Sequence, residues 1–174
     1  MTLVPLNVHY IKHYGIFDLN GMYQMIYNWF VDRGFEVQER KFKHKVPSAA
    51  GEEEEIWWSA WIRETDYIKN WIDIVFFFYD IKEVEVVKEG KKKKLTRARV
   101  LIEINGKVET DWQGKWQRSA FLSQLQKFYE KFIIKKDIDT IWWDKLYYNM
   151  LKLHASIKEW LDQEAKANAF YDVW

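Results

Sequence analysis

The sequence predicts an α+β fold, with an N-terminal helix, an antiparallel meander sheet of five to six strands, and two C-terminal helices packed on the sheet. Three observations predict it. Apolar residues recur at three- and four-residue steps from Leu19 to Phe30 and again beyond Phe121, the spacing of one helical face. Between Phe35 and Trp112 the period drops to two, the spacing of a strand with distinct faces. The connections inside that stretch are short and rich in turn residues, and hairpins this tight force neighbouring strands antiparallel. No composition break or long linker divides the chain. Residues 1–174 are therefore expected to form a single domain, with an arm at 1–15 and a weakly patterned tail at 166–174.

The arm, with Pro5 and two histidines, predicts an extended segment or a short strand. Asp18 is placed as a helix N-cap ahead of the face formed by Leu19, Met22, Tyr23, Ile26, Trp29 and Phe30. Gly34 stands where a left-handed C-terminal residue is expected. Phe35 to Val46 predicts the first strand of the meander, and Pro47 to Gly51 a loop. From Glu54 to Glu64, Ile56, Trp58, Ala60 and Ile62 alternate with Glu55, Trp57, Ser59, Trp61 and Arg63, so both faces of that strand carry rings. Thr65-Asp66 predicts a turn, Ile68 to Tyr79 a strand, and Val84 to Val87 a short piece after Asp80-Ile81-Lys82. Glu89-Gly90-Lys91 predicts a hairpin, Leu95 to Ile104 a strand, Asn105-Gly106 the clearest turn of the chain, and Val108 to Trp112 the last strand. After Gly114 the helical period returns. Phe121, Leu122, Leu125, Phe128, Tyr129, Phe132 and Ile133 share a face capped at Ser119 or a neighbour. Trp143, Leu146, Met150, Leu153, Ile157 and Trp160 then form a heptad seam.

Composition narrows the function classes. There is no cysteine, which removes thiol chemistry, disulfides and cysteine-ligated zinc. Lys+Arg total 27 against 26 Asp+Glu, so whole-molecule attraction to nucleic acid or anionic lipid is not expected, although a local patch is compatible. No stretch reaches the roughly 18 apolar residues of a membrane span. No cationic segment followed by a long apolar core opens the chain, and a cytoplasmic location is the expectation. The surplus is aromatic, with 11 Trp, 10 Tyr and 11 Phe.

Candidate sites are weighed against structural roles. His9 and His13 are four apart, but two imidazoles in an extended arm need not converge, and no metal site is expected. Glu52 to Glu55 is expected to be a solvated run that keeps a strand edge apart from other strands. Asp73, inside an apolar strand, is the buried-charge candidate, and if it faces the core it needs Arg97 or Arg99 as partner. Lys91, Lys92, Lys93 and Lys94, with Arg97 and Arg99, form the best basic patch, set against the nearby Glu83, Glu85 and Glu89. Trp57 and Trp58 are adjacent in a strand and must point to opposite faces, so one of them meets a helix layer, a partner or solvent. No phosphate loop, dinucleotide fingerprint or catalytic triad spacing is present.

The succession Trp29-x-x-Asp32-Arg33-Gly34-Phe35-x-Val37, then Asp66-Tyr67-Ile68-Lys69, Gly90 with its lysines, Gly114-Lys115-Trp116 and Phe128-Tyr129-x-Lys131-x-Ile133-Ile134 resembles a group of small archaeal proteins with no assigned activity. The resemblance implies no site residue. The helix–sheet–helix order is also similar to helix-grip ligand-binding domains, from which this chain departs by starting with a helix before all its strands and by ending with two. The expectation is a non-enzymatic binding or interaction domain without a cofactor. Its surface would be drawn from Trp57, Trp58, Trp61, Trp143 and Trp160, engaging a protein partner or a second copy. The alternatives are a small-molecule or lipid carrier with an apolar cavity between sheet and helices, and nucleic-acid binding through the basic hairpin.

Overall fold

The computed structural model describes residues 2–48, 51–88 and 91–161. The expected hairpin turn at Glu89-Gly90, part of the Pro47–Gly51 loop and the tail at 166–174 lie outside the described residues. The fold is α+β, an antiparallel six-stranded sheet with helices before and after its meander. In chain order it comprises β1 (Thr2–Pro5), β2 (His9–Phe17), α1 (Leu19–Val31), β3 (Glu36–Ser48), β4 (Gly51–Arg63), β5 (Ile68–Lys88) and β6 (Lys91–Thr110). A 3₁₀ turn at Lys115–Gln117 then leads to α2 (Ala120–Phe132). A short α3 (Lys135–Asp137) and a π-helical stretch, Ile138–Trp143, run into α4 (Asp144–Trp160).

The arm is part of the sheet. β1 lies opposite residues 107–110 of β6 and β2 opposite residues 96–104. Leu6 N donates to Gly106 O between them, so the two act as one interrupted edge strand. Two strands thus precede α1, so the expectation of a helix before all the strands does not hold, whereas more than one helix follows the sheet, as expected. The rest of the sheet is a meander in the order β6-β5-β4-β3.

Two expected breaks are absent. Asn105-Gly106 is not a turn: β6 runs through it, with Asn105 opposite Asp73 and Gly106 opposite Ile72. Gly106 is there for clearance, since a Cβ at this position would overlap Met150 Sδ and sit 3.4 Å from Leu6 Cβ. A glycine inside a strand marks close approach by another element as well as a bend. Asp80-Ile81-Lys82 is likewise not an end but a bulge. Asp80 takes φ 56°, and the pairing slips from Tyr79↔Arg99 to Lys82↔Arg97. Among the described residues β5 pairs only with β6 beyond Ile81, and once β2 ends opposite Thr96 the two strands continue as a two-stranded ribbon, from Val84↔Leu95 outward.

One face of the sheet is covered. Ile56 and Ala60 of β4, Ile72, Ile74, Phe76 and Phe78 of β5, and Val100, Ile102 and Ile104 of β6 are buried against the helices. α1 supplies Met22, Ile26 and Phe30, and α4 supplies Leu146, Met150, Leu153 and Ile157. Each such side chain contributes about 1.5–3 kcal/mol when removed from water. Asp18 caps α1 by accepting from Gly21 N at 2.9 Å, and Gly34 takes φ 77° after its end. The seam of α4 therefore faces the sheet. Trp160 closes the layer by donating Nε1–H to Asp18 O at 3.2 Å.

α2 departs from the expected packing. Leu122 and Tyr129 turn partly inward, but Phe121, Leu125, Phe128, Phe132 and Ile133 of the expected apolar face are exposed. The helix is held by the stack of Tyr129 on Trp116, at 5.4 Å, and by polar contacts. The Glu130 carboxylate accepts hydrogen bonds from Thr2, Tyr67, Thr110 and Gln126. Ser119 caps the helix by accepting from Leu122 N at 3.2 Å.

His154 on α4 gives the layer a pH dependence. Its ring lies 5.9 Å from that of His9, and Nε2 sits 3.4 Å from Tyr10 O. Burial holds its pKa below the usual histidine value, and Lys158 and His9 push the same way. The unfolded chain then binds the proton first, so the neutral ring's contribution is complete above the unfolded value near 6.5 and declines as pH falls below it. Urea midpoints at pH 7.5 and 5.5 are expected to drop on acidification, with a smaller drop in His154→Gln.

Candidate functional site

Strand alternation sends every second side chain away from α1 and α4, and among the described residues no helix packs on that second face. The register assembles it in rows. Tyr10, Glu103, Val75, Trp57 and Lys41 lie side by side across five strands. Pro5, Lys107, Trp71, Trp61 and Glu36 form a parallel row, and Asn105, Asp73, Ser59 and Gln38 lie between them.

At the centre are two indoles with cations on their faces. Trp61 and Trp71 are 5.2 Å apart at 45°. Lys69 Nζ lies 4.0 Å from the Trp71 ring centre and 5.1 Å from that of Trp61. Lys107 Nζ and Arg40 Cζ lie 5.2 and 5.9 Å from the Trp71 ring. Burial holds the Lys69 pKa below the usual lysine value, and neighbouring Arg63 and Arg40 reinforce this against Glu109 and Glu36. Trp71 Nε1 donates to Glu109 Oε2 at 2.6 Å, whereas Trp61 Nε1 is buried with no hydrogen-bond partner.

Asp73 belongs to this face and not to the core. Its Oδ1 accepts from Ser59 Oγ at 2.6 Å and its Oδ2 from Lys107 Nζ at 2.7 Å. The expected partners, Arg97 and Arg99, lie further along β6, because that strand continues through Asn105-Gly106 and brings Lys107 within reach. Asp73 also lines a groove of about 500 Å³ with Trp57, Phe77, Glu103, Asn105, Lys107 and Arg40. Towards β2, Arg99 stacks 5.1 Å over Tyr79, and Arg97 donates to Tyr14 Oη at 2.7 Å.

The residues singled out from the sequence divide between locations. Trp57 and Trp61 reach the uncovered face, where Trp57 is 40% exposed and donates to Glu55 at 2.6 Å. Trp58 points the other way, 5.6 Å from both Tyr23 and Phe76, as strand alternation requires. Trp143 stacks on Tyr147 at 5.2 Å beside the core, and Trp160 sits at the end of α4. Arg97 and Arg99 face the uncovered side. Lys92 and Lys94 pair with Glu85 and Glu83 along the ribbon, and Lys93 is exposed opposite Val86. Lys91 pairs through its backbone with Lys88. His9 and His13 share the covered side of β2, against Tyr147 and Phe17 respectively. Among the described residues no cluster of three or more histidines and carboxylates could hold a metal ion, and no helix is long and apolar enough to cross a membrane.

Lys69, Trp71 and Lys107 were not singled out from the sequence, although alternation from Asp73 in one strand and from Arg99 in the other places them on the same face. Compared with known proteins, the chain matches no family model and no curated protein.

Proposed function

We propose that this chain is a binding module, not a catalyst, and that its uncovered sheet face holds a single-stranded nucleic acid. The observation that carries the proposal is the Trp61–Trp71 pair, with Lys69 and Lys107 on its ring faces. Stacking rings with cations beside them are what a strand of bases and phosphates needs, and the stacking contributes about 1–3 kcal/mol per base. The formal charge of only +1 does not oppose this, since charge is set locally: Lys41, Arg63, Lys69, Arg99 and Lys107 share one face. Of the acids there, Glu36, Glu55 and Asp73 are engaged by Arg63, Lys41 and Lys107, at 3.0, 2.9 and 2.7 Å, Glu109 accepts from Trp71, and Glu103 lies in the same row as Trp57. The working surface is the sheet, where Lys69 and Lys107 lie on ring faces, and not the hairpin, where Lys92 and Lys94 pair with Glu85 and Glu83. A protein partner would use the same rings but would leave the cation placement without a purpose. A carrier would need open space where Met22, Phe30, Phe76, Phe78 and Leu153 are packed with no exposure.

The test is fluorescence anisotropy with labelled 12-mers of dT and U between 20 and 300 mM NaCl. Binding is expected to weaken with salt, with a slope of about −0.7 per phosphate neutralised. Trp71→Ala is expected to weaken it about tenfold or more, from the loss of one stacking platform. Lys92→Ala/Lys94→Ala should leave it within about twofold, since those contacts lie on the ribbon. No binding at 20 mM salt, or equal loss in the ribbon variant, would overturn the proposal.

A further inference from the structure

α2 is turned inside out. Two polar residues, Gln126 and Glu130, face the protein: Gln126 is 5% exposed, and Glu130 accepts from Thr2, Tyr67, Thr110 and Gln126. Leu122 and Tyr129 turn partly inward, but its other large apolar residues face out, with Phe121 73%, Leu125 41%, Phe128 53% and Phe132 64% exposed, and Ile133 at 58% just beyond. These positions are spaced four, three and four apart and form one continuous stripe. The helix cannot roll to hide it without breaking the Glu130 hydrogen bonds, so the exposure is built in. An apolar stripe of this size fixed outward marks a site of contact.

The surroundings of the stripe select what it contacts. Lys127 and Lys131 flank it along the helix, Lys131 lying 5.2 Å from the Phe132 ring, and Lys135 and Lys136 follow in the next turn. From residue 112 to 136 the only acid is Glu130, which is turned inward, while Lys115 and Arg118 add to the positive charge. A two-fold contact with a second copy would press these like charges together. A negatively charged, apolar-cored surface matches both features at once, since rings enter the acyl boundary while lysine stems reach up to the headgroups.

We infer that α2 is an interfacial helix that seats the protein on an anionic lipid surface. Phe121, Leu125, Phe128 and Phe132 enter the boundary region, and Lys127, Lys131, Lys135 and Lys136 lie at the phosphate level. The inference rests on α2 alone and stands apart from the ligand of the sheet face.

The experiment is co-sedimentation of the full chain with vesicles of phosphatidylcholine alone and of phosphatidylcholine with 30% phosphatidylglycerol, where that share is a choice of about one anionic lipid in three. Binding is expected to the mixed vesicles and to be much weaker on the neutral ones. Lys127→Ala/Lys131→Ala should reduce partitioning about thirtyfold, from an attraction worth about fivefold per basic residue at such a surface. Phe128→Ser/Phe132→Ser, at exposed positions, should abolish it while leaving the thermal midpoint in place. Absence of binding by the wild type, or binding that survives Phe128→Ser/Phe132→Ser, would overturn the inference. So would a dimer in light scattering that the same variant dissolves, which makes a second copy the occupant. Binding that emerges only after residues 162–174 are deleted also overturns it, and makes that segment the occupant.

Discussion

Glu130→Ala is expected to destabilise the protein by about 3 kcal/mol, because one carboxylate satisfies the buried Thr110 and Gln126 and the half-buried Tyr67, and each buried donor left unsatisfied costs about 1–3 kcal/mol. Thr2 Oγ1 and Tyr67 Oη each donate to it at 2.8 Å, and Gln126 Nε2 donates at 2.9 Å. Thr110, with no exposure, donates to the same oxygen as Tyr67 and Gln126. Burial alone would raise the Glu130 pKa. The hydrogen bonds from Thr110, Tyr67, Gln126 and Thr2 outweigh it and hold the carboxyl below the usual range. The proton therefore binds the unfolded chain first. The stabilisation is complete above the unfolded value near 4.3 and is lost as pH falls through the depressed folded one. Urea denaturation at pH 7 and pH 3 is the measurement. The gap between wild type and Glu130→Ala should be wide at the first and narrower at the second. Because the carboxylate joins β1, the Tyr67 turn and the end of β6 to α2, the variant should also expose α2 to protease before the sheet is cut. A gap that does not change with pH would show that the bonds act through the neutral acid.

Gly106→Val is expected to prevent folding at ordinary temperatures, and Gly106→Ala to cost about 1–3 kcal/mol, the range for overfilling a packed core. The backbone is not the reason, since among the described residues the glycines with positive φ are Gly34 and Gly114. The reason is Met150, which has no exposure and whose Sδ occupies the place a Cβ would take. Met150→Ala alone should cost about 2–5 kcal/mol as a cavity. The double variant is expected to be more stable than the sum of the two by about 1 kcal/mol or more, as for residues in direct contact. Additive losses in a four-way thermal or urea cycle would mean that α4 does not rest on Gly106.

How far the sequence reaches can be judged from the same residues. The period of two from Glu54 to Glu64 placed Trp57, Ser59 and Trp61 on one side and Trp58 and Ala60 on the other, as found. The caps at Asp18 and Ser119 and the left-handed Gly34 were equally legible, because local hydrogen bonds and sterics decide them. Gly106 was not. Asn-Gly favours a turn on its own, and only the helix lying across it, more than forty residues later, reveals that the missing side chain is space for Met150. The bulge at Asp80 was hidden in the same way, since a turn residue with positive φ looks alike in a bend and in a turn. The site suffered from the same boundary errors. With β6 divided at Asn105, Lys107 could not be matched to Asp73, and the Trp61–Trp71–Lys107 row could not be drawn. α2 misled for another reason. An apolar helical face predicts burial, and here the polar face won that place through Glu130, a choice set by Thr2, Tyr67 and Thr110 from three distant parts of the chain.

The N-terminal edge strand also sets the order in which the molecule can assemble. Thr2 sits opposite Thr110 and His9 opposite Ile104, whereas β3 to β6 are joined successively to their neighbours. Closing a loop across most of the chain carries an entropy penalty that rises with the logarithm of its length and is met before any contact rewards it. The meander can zip from its hairpins, but Ile11 and Phe17 find their places only once β6 is already in the sheet. On a ribosome those residues emerge first and dock late, so for most of synthesis an apolar edge strand waits without its neighbour. High contact order of this kind slows folding at a given stability. The rate-limiting event would be the return of the chain's beginning to its last strand.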